Sequence, residues 1–258
     1  MSNELGRASV RDWEVESLRV TAFPTQNAEV KPDDWWQVVI GTEAETQVVQ
    51  AKLGEKRFQG NFAGGQLTLR VQPGRIDWFL GRAVSADQQA IGEMISTVGR
   101  FDETCSRFTE LVERWLPISP PLHRIAFGGA VLLPVADRVT GYKRLVPYLP
   151  SVKIDPEGSR DLLYRINRPR MSQTGIKDLQ LNRLSTWAVG SFEFKALSIS
   201  GGQASIVTPG ERAFVCKVDI DINTAAEFSG VFVPDQLRET LNELVQLGNE
   251  IIEKGDIP

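Results

Sequence analysis

The chain has 258 residues, 41% of them hydrophobic, which is enough to bury a large core as one domain or two modest ones. Its formal net charge of -4 argues against non-specific coating of nucleic acid, since that binding needs many lysines and arginines acting together. The single histidine, His123, excludes mechanisms that need two imidazoles and metal sites built from several histidines.

The first elements along the chain alternate between extended and helical patterns. Residues 18–23 alternate like a strand, and residues 32–41 predict a short helix that is closed by Gly41. Residues 46–83 then predict a meander of three antiparallel strands, because alternating apolar residues are interrupted by the turns Leu-Gly-Glu-Lys, Ala-Gly-Gly-Gln and Gln-Pro-Gly-Arg.

Two helices are expected after the meander. Ser85 and Gln88 resemble a capping box, and the segment that follows carries Ile91, Met94, Ile95 and Val98 at helical spacing. The next helix is the clearest of the first half and ends before Pro117. Its apolar face consists of Phe101, Cys105, Phe108, Leu111, Val112 and Trp115.

A proline-rich stretch, residues 117–121, predicts a boundary between two halves. Residues 123–135 predict a strand, two extended segments follow around residues 162–168 and 179–197, and residues 212–223 form the most regular strand pattern of the chain. A closing helix begins at Pro234. Its apolar face consists of Leu237, Leu241, Leu244, Val245, Gly248, Ile251 and Ile252.

These elements predict an α+β fold with two related halves, residues 1–118 and 119–258, each of which has antiparallel strands followed by a C-terminal helix. The halves repeat the order of their elements rather than their residues. One continuous α+β domain without internal symmetry is the alternative.

Several motifs together resemble a known group of proteins. They are "VQPGRIDWFL", a helix "FTELVERWL" that leads into "HRIAF", and a late strand "VDIDIN" before the last helix. The chain resembles a sporadically distributed family of bacterial proteins of similar length, for which no activity, cofactor or catalytic residue is established. This resemblance implies a bacterial cytosolic α+β protein, and a defence or toxin-neutralising system as its setting.

Positive charge gathers in residues 160–183, which carry six basic side chains against two acidic ones although the whole chain is acidic. If the two arms of this segment pair as a hairpin, guanidinium and amide groups converge on an anion such as a carboxylate or phosphate. Trp187 adds a stacking surface. The predicted binding residues are therefore Arg165, Asn167, Arg168, Arg170, Asn182, Arg183 and Trp187. In the alternative interpretation, these arginines pair with the protein's own carboxylates.

Carboxylates in the second half suggest a different chemistry. Asp178, followed by Glu193 and Lys195, matches in outline the Asp…Glu-x-Lys arrangement of metal-dependent nucleases, in which carboxylates hold Mg²⁺ and lysine assists the attacking water. Asp219 and Asp221 lie on one face of their strand and would support such a site. Alternating charge on the solvent face of a strand explains the same residues.

The remaining reactive groups favour structural roles. Cys105 and Cys216 lie far apart in apolar patterns, which predicts buried thiols. The paired tryptophans Trp35 and Trp36 are expected in the core, with an exposed aromatic patch as the alternative. The first residues contain no apolar run long enough for a signal peptide or a membrane span, so we expect a cytoplasmic location.

The expected function is that of a non-enzymatic binding or adaptor protein with no catalytic residue, cofactor or metal of its own. It would recognise a protein partner or an anionic ligand through the arginine-rich segment. We expect a protein partner or a homo-oligomer; nucleic acid is not favoured by the net charge, and no membrane is expected. The alternatives are the metal-dependent nuclease and a structural subunit whose long helices and tryptophans form an oligomer interface.

Overall fold

The computed structural model describes residues 6–82, 95–193, 197–200, 203–206 and 212–258. Four α-helices are described: α1 (Trp35–Ile40), α2 (Phe101–Trp115), α3 (Arg138–Leu145) and α4 (Pro234–Lys254). The strands of the first half are β1 (Glu14–Pro24), β2 (Thr46–Gln50), β3 (Glu55–Phe62), β4 (Gly65–Gln72), β5 (Arg75–Gly81) and β6 (Gly99–Arg100). Those of the second half are β7 (Leu122–Val135), β8 (Leu163–Asn167), β9 (Arg170–Met171), β10 (Gln180–Glu193), β11 (Leu197–Ser200), β12 (Gln203–Ile206) and β13 (Arg212–Thr224).

Strands from both halves form one large antiparallel sheet with the order β2-β3-β4-β5-β1-β7-β13-β10-β8. The short strands β6 and β9 pair with β1 and β10, and β11 pairs only with β12. The centre of the sheet is the junction of β1 with β7, where Val20 pairs with Phe127 and Ala22 with Ile125. The fold is therefore α+β, and residues 1–118 and 119–258 share a single sheet.

All four helices contact the same face of this sheet. Trp36 of α1 and Trp115 of α2 both lie against Trp78 of β5. In α3 and α4, Gly141 and Gly248 bring the helix backbones close to sheet side chains, where an added Cβ would lie 2.8 Å from Val189 and 2.9 Å from Phe127 respectively. The buried core lies between this face and the helices, so none of the four described helices covers the opposite face of the sheet.

Two adjacent glycines let β7 approach its neighbours closely. A Cβ on Gly128 would lie 2.9 Å from the carbonyl oxygen of Ile220 in β13, and a Cβ on Gly129 would lie 2.8 Å from that of Ser17 in β1. Contacts this short with backbone atoms cannot be relieved by a side-chain rotation. The glycine pair at the centre of the sheet therefore serves strand packing.

Most elements expected from the sequence are present. The short helix ends at Gly41, which has φ of 86° as a left-handed cap requires, and the helices over residues 101–115 and 234–254 have the expected buried faces. The expected meander of three strands is wrong in number: residues 46–81 contain the four strands β2 to β5, because residues 51–53 form a separate 3-10 turn between β2 and β3.

The predicted helix after Ser85 and Gln88 falls mostly on residues 83–94, which lie outside the described part of the chain. Of its expected face, Ile95 and Val98 are described, and neither is helical. Val98 instead donates its backbone N–H to the carbonyl of Val15 at 2.8 Å. This contact attaches the segment before α2 to the end of β1.

Candidate binding groove on the open face of the sheet

The arginine-rich segment forms the expected hairpin, because β8 pairs antiparallel with β10 and Arg165 lies opposite Thr186. Its arginines do not converge on one surface, since neighbouring residues of a strand project to opposite faces. Arg165 and Asn167 are exposed on the open face, whereas Arg183 points to the helical face and its side chain is only 1% exposed. The basic side chains of this hairpin are thus divided between the exposed open face and the buried helical face of the sheet.

On the helical face, the C-terminal segment supplies carboxylates to these arginines. Arg168 donates from Nε and Nη2 to the two carboxyl oxygens of Asp256, at 2.8 and 2.9 Å. Tyr164 donates its hydroxyl to the same carboxylate at 2.7 Å. These bonds hold the pKa of Asp256 below its ordinary value, with the Arg168 hydrogen bond as the main cause.

Glu250 of α4 binds the other two arginines of this set. Its Oε2 atom lies 3.0 Å from Arg170 and 3.1 Å from Arg183. Burial lowers the pKa of Arg183, and its Nε atom is buried without a hydrogen-bond partner. Arg168, Arg170 and Arg183 are therefore paired with the protein's own carboxylates in this structure, as the alternative interpretation of the sequence expected.

The tryptophans belong to the core. Trp187 has no exposed surface, and its ring lies edge-on to Trp13 at 6.5 Å between centroids. Trp35 and Trp36 are also buried. The expectation that Trp187 stacks on a ligand is therefore wrong for this structure, because Trp187 faces the helices. The tryptophans are all buried in the core. They therefore present no exposed surface from which an oligomer interface could be built.

A depression with a cavity volume of about 290 Å³ lies at the centre of the open face. Its floor is β7, where alternate residues Ala126, Gly128 and Ala130 present at most a methyl group to this face. The neighbouring strands β1 and β13 form the two walls. We call this depression the open-face groove.

The walls carry opposite charges. Arg19 of β1 lies opposite Gly128, and Asp221 of β13 lies opposite Gly128 from the other side. Asp219 occupies the equivalent place beside Ala130. Because two strand spacings separate β1 from β13, the walls stand roughly 10 Å apart at the level of the backbone. Arg165 lies beyond Asp219 and Thr186, two further strands away.

Arg19 and Arg165 differ from the other arginines of this region. Both are exposed and line the open-face groove, and neither makes a hydrogen bond or ion pair within the part of the chain that the structure describes. An arginine whose donors are not used internally can bind a carboxylate or phosphate with two parallel hydrogen bonds. Within the described part of the chain, the donors of these two guanidinium groups are therefore available to an anion.

A row of amides holds the acidic wall in place. Asn167 donates to Asn182 at 2.9 Å, Asn182 donates to Asn223 at 3.1 Å, and Asn223 donates to the Oδ1 atom of Asp221 at 3.0 Å. Arg124 also donates to the Oδ1 atom of Asn223, at 3.2 Å. Asn167 and Asn182 are thus brought together as the sequence suggested, and they act on the orientation of Asp221.

Asp219 is a half-exposed carboxylate of the groove. Desolvation raises its pKa, although Lys217 lies 3.7 Å away and opposes the shift. Lys217 itself binds Glu16 more closely, at 2.5 Å. The lost hydration of this carboxylate is not fully compensated by the charges around it. A further cationic partner would therefore stabilise its ionised form.

The metal-dependent nuclease assignment does not fit the geometry. Asp178 lies in the turn before β10 and Glu193 at the far end of that strand, so the two are separated by roughly 40 Å of extended chain. Glu193 pairs across the sheet with Arg212. Lys195 lies outside the described residues. Among the described side chains, no group of three or more histidine, cysteine, aspartate or glutamate residues is arranged to hold a metal ion.

Most of the lining of the groove was not predicted from the sequence, and this includes Arg19 and Phe79. Arg19 is a single cation in an alternating strand, and nothing local marks it as different from a solvent-facing residue. Its place in a site depends on β1 lying beside β7 and β13, from which it is far removed in the chain. The alternation that puts Asp219 and Asp221 on one face, and the placing of Arg165 in a binding surface, could be read from the sequence in advance.

Fold and groove together define an α+β protein whose described helices all lie on one face of the sheet, and whose other face carries a polar groove with two arginines that have no partner among the described residues. Comparison with protein-family models gives no match, and comparison with curated proteins gives none either. None of the described helices is both long and apolar enough to cross a membrane.

Proposed function

We propose that the protein is a non-enzymatic binding module that holds a polypeptide partner in the open-face groove. Arg19 and Arg165 would bind acidic side chains of the partner, and Asp219 with Asp221 would bind a basic one between them. The observation that carries this proposal is a pair of exposed arginines on either side of two carboxylates, above a floor of small residues, where neither arginine has a side-chain partner among the residues the structure describes.

The mixed charge of the groove favours a polypeptide over a nucleic acid. A duplex or single strand presents negative charge along its whole length, and Asp219 and Asp221 at the centre of the groove would repel it. A polypeptide can alternate acidic and basic side chains at the spacing of the walls, and such complementarity supplies register and specificity.

This proposal keeps only some of the residues that the sequence predicted for the arginine-rich binding surface. Arg165 and Asn167 stay in the binding surface, and Asn182 supports it through the amide row. Arg168, Arg170 and Arg183 instead anchor the C-terminal segment. A bacterial cytosolic system, such as a defence or toxin-neutralising system, is our suggestion for the setting.

We also infer that the two halves are structurally related. In each half a strand and a helix (β1 with α1, β7 with α3) precede further strands and a long final helix. The first strands lie side by side at the centre, and the last long strands, β5 and β13, flank them. Superposition of residues 14–115 on residues 122–254 in an experimental structure tests this relation.

The test of the proposed function is co-purification from a bacterial lysate, followed by reconstitution with the purified partner. Wild type, Arg19→Ala, Arg165→Ala and the matched control Arg107→Ala are compared, since Arg107 is an exposed arginine on α2 at the other side of the molecule. We expect both groove variants to lose most of the affinity measured by calorimetry, and the control to keep it. Raising the salt concentration should weaken binding to wild type.

A partner that binds all four proteins equally well contradicts the groove assignment. A bound nucleic acid that depends on Arg19 would contradict the choice of a polypeptide but keep the groove. Turnover of any small molecule that is lost in Asp219→Asn would contradict the non-enzymatic reading.

A further inference from the structure

The edge strand β2 is an interaction surface that the proposed function does not use. It is the last strand on its side of the sheet, and all five of its residues are exposed. Val48 and Val49 point to opposite faces and are 38% and 56% exposed. The backbone groups along the free side of such a strand have no partner within the sheet and form a template for another strand.

This edge lacks the usual protection against pairing. Natural sheets cover their edges or place charges and prolines on them. The sequence of β2, Thr-Gln-Val-Val-Gln, contains neither a charge nor a proline. The opposite edge differs, since β8 carries Arg165, and Pro169 separates it from β9. The two edges of the sheet are therefore unequal.

We propose that β2 pairs antiparallel with β2 of a second copy of this chain, which joins two sheets into one across a two-fold axis. An axis through Val48 sets Thr46 opposite Gln50 and Gln47 opposite Val49, so that no charges of like sign face each other within the strand. Both copies use the same edge in this contact, so the assembly stops at a dimer and does not continue into a filament.

The charges at the ends of β2 favour an identical copy over an unrelated peptide. Glu43 precedes the strand and Lys52 follows it, whereas Glu45 already accepts two hydrogen bonds from Asn61 of its own chain. Antiparallel pairing brings the beginning of one strand to the end of the other, so Glu43 of each copy comes near Lys52 of its partner at both ends of the ladder. Lys52 has no ion pair with any residue that the structure describes, which leaves it available for this contact.

Cysteine cross-linking tests the axis directly. Residues that face each other across an antiparallel pair have Cα atoms about 4.5–5.5 Å apart, which is within the range of a disulfide. We expect Val48→Cys, which lies on the axis and faces its own copy, to form a disulfide-linked dimer under mild oxidation. Leu163→Cys on the exposed edge β8 is the matched control and should stay monomeric. The native thiols Cys105 and Cys216 are buried and do not compete.

Sedimentation velocity supplies the second measurement. Wild type should shift from monomer to dimer as its concentration rises, and Val49→Lys should remain a monomer at every concentration because it would place two lysines diagonally across the junction on the same face of the joined sheet. Val38→Lys, at an equally exposed valine on α1, should behave like wild type. Lys52→Glu should weaken the dimer several-fold, and Lys52→Glu combined with Glu43→Lys should recover it.

A wild-type chain that stays monomeric, with no cross-link at residue 48, overturns the proposal. A dimer that persists in Val49→Lys, or that cross-links only through Leu163→Cys, also overturns it by assigning the contact to another surface. These outcomes are independent of the groove, since Arg19 and Arg165 lie on other strands.

Discussion

Arg168 and Asp256 form an ion pair with two parallel hydrogen bonds, at 2.8 and 2.9 Å, which ties the residue after β8 to the segment after α4. The carboxylate of Asp256 is 1% exposed and also accepts the hydroxyl of Tyr164. The last residues of the chain are thereby held against the hairpin that supplies the outer side of the open-face groove.

Acid should release this attachment. The folded pKa of Asp256 lies below the unfolded value near 3.8, so its contribution to stability is complete above the unfolded pKa and is lost as pH falls through the folded pKa. We expect the free energy of unfolding, measured with urea from about pH 6 to about pH 2, to fall more steeply for wild type than for Asp256→Asn. Glu239→Gln, at an exposed carboxylate of α4, is the control and should follow wild type; an unchanged slope in Asp256→Asn would contradict the assignment.

Arg183 should be needed for stability and Arg165 should not. Arg183→Ala removes a buried guanidinium that binds Glu250 and leaves a cavity, so we expect it to lower the free energy of unfolding by about 3–5 kcal/mol. Arg165→Ala, on the same hairpin but exposed, should change it by less than about 0.5 kcal/mol. Arg183→Met keeps the volume and should be milder than Arg183→Ala. Equal losses at both arginines would argue against the division of this hairpin into an anchoring and a binding side.

Asp219 should oppose folding at neutral pH. Its folded pKa is raised by desolvation, so the ionised carboxylate disfavours the folded state above that pKa, and the penalty disappears as pH falls and the group is protonated. We therefore expect Asp219→Asn to have a higher melting temperature than wild type at pH near 7 and the two to converge in acid. A variant that is less stable at neutral pH would show that the ion pair with Lys217 outweighs the loss of hydration.

The glycines of the sheet should differ in their tolerance of a methyl group. Gly129→Ala would place its Cβ 2.8 Å from atoms of Ser17 and Leu18, and we expect it to lower the free energy of unfolding by about 1–3 kcal/mol. Gly190→Ala, in β10 of the same sheet, has its nearest neighbour at 3.9 Å and should be close to neutral. Calorimetric melting of both variants makes the comparison, and a neutral Gly129→Ala would show that β1 and β7 can separate locally.

Local patterns in the sequence were sufficient for most of the individual elements. The alternation in β13 and the helical spacing in α2 and α4 follow from burial on one face, which is a property of nearby residues. The mixed α+β class follows from the same patterns. The number of strands in the meander could not be predicted from such patterns, because the brief 3-10 turn after β2 has no distinctive residue beyond Gly54.

The site was harder to predict because it is made by distant strands. Arg168 and Arg183 looked equivalent to Arg165 in the sequence, yet their roles depend on Asp256 and Glu250 at the far end of the chain. Arg183 differs from Arg165 because it lies on the buried face of its strand. That face is buried because α4 packs against it, and α4 is distant from the hairpin in the chain. The concentration of arginines in the sequence therefore correctly indicated that these side chains lie near one another. It did not indicate which of the arginines face solvent.

The central place of β1 has a consequence for synthesis of the chain on the ribosome. Its first neighbour, β5, is available early, but its second neighbour is β7, and β7 in turn needs β13, which begins at Arg212. A nascent chain thus carries an open edge at the centre of the sheet, first on β1 and then on β7, until β13 has emerged. Slow translation would prolong the exposure of that edge to other chains.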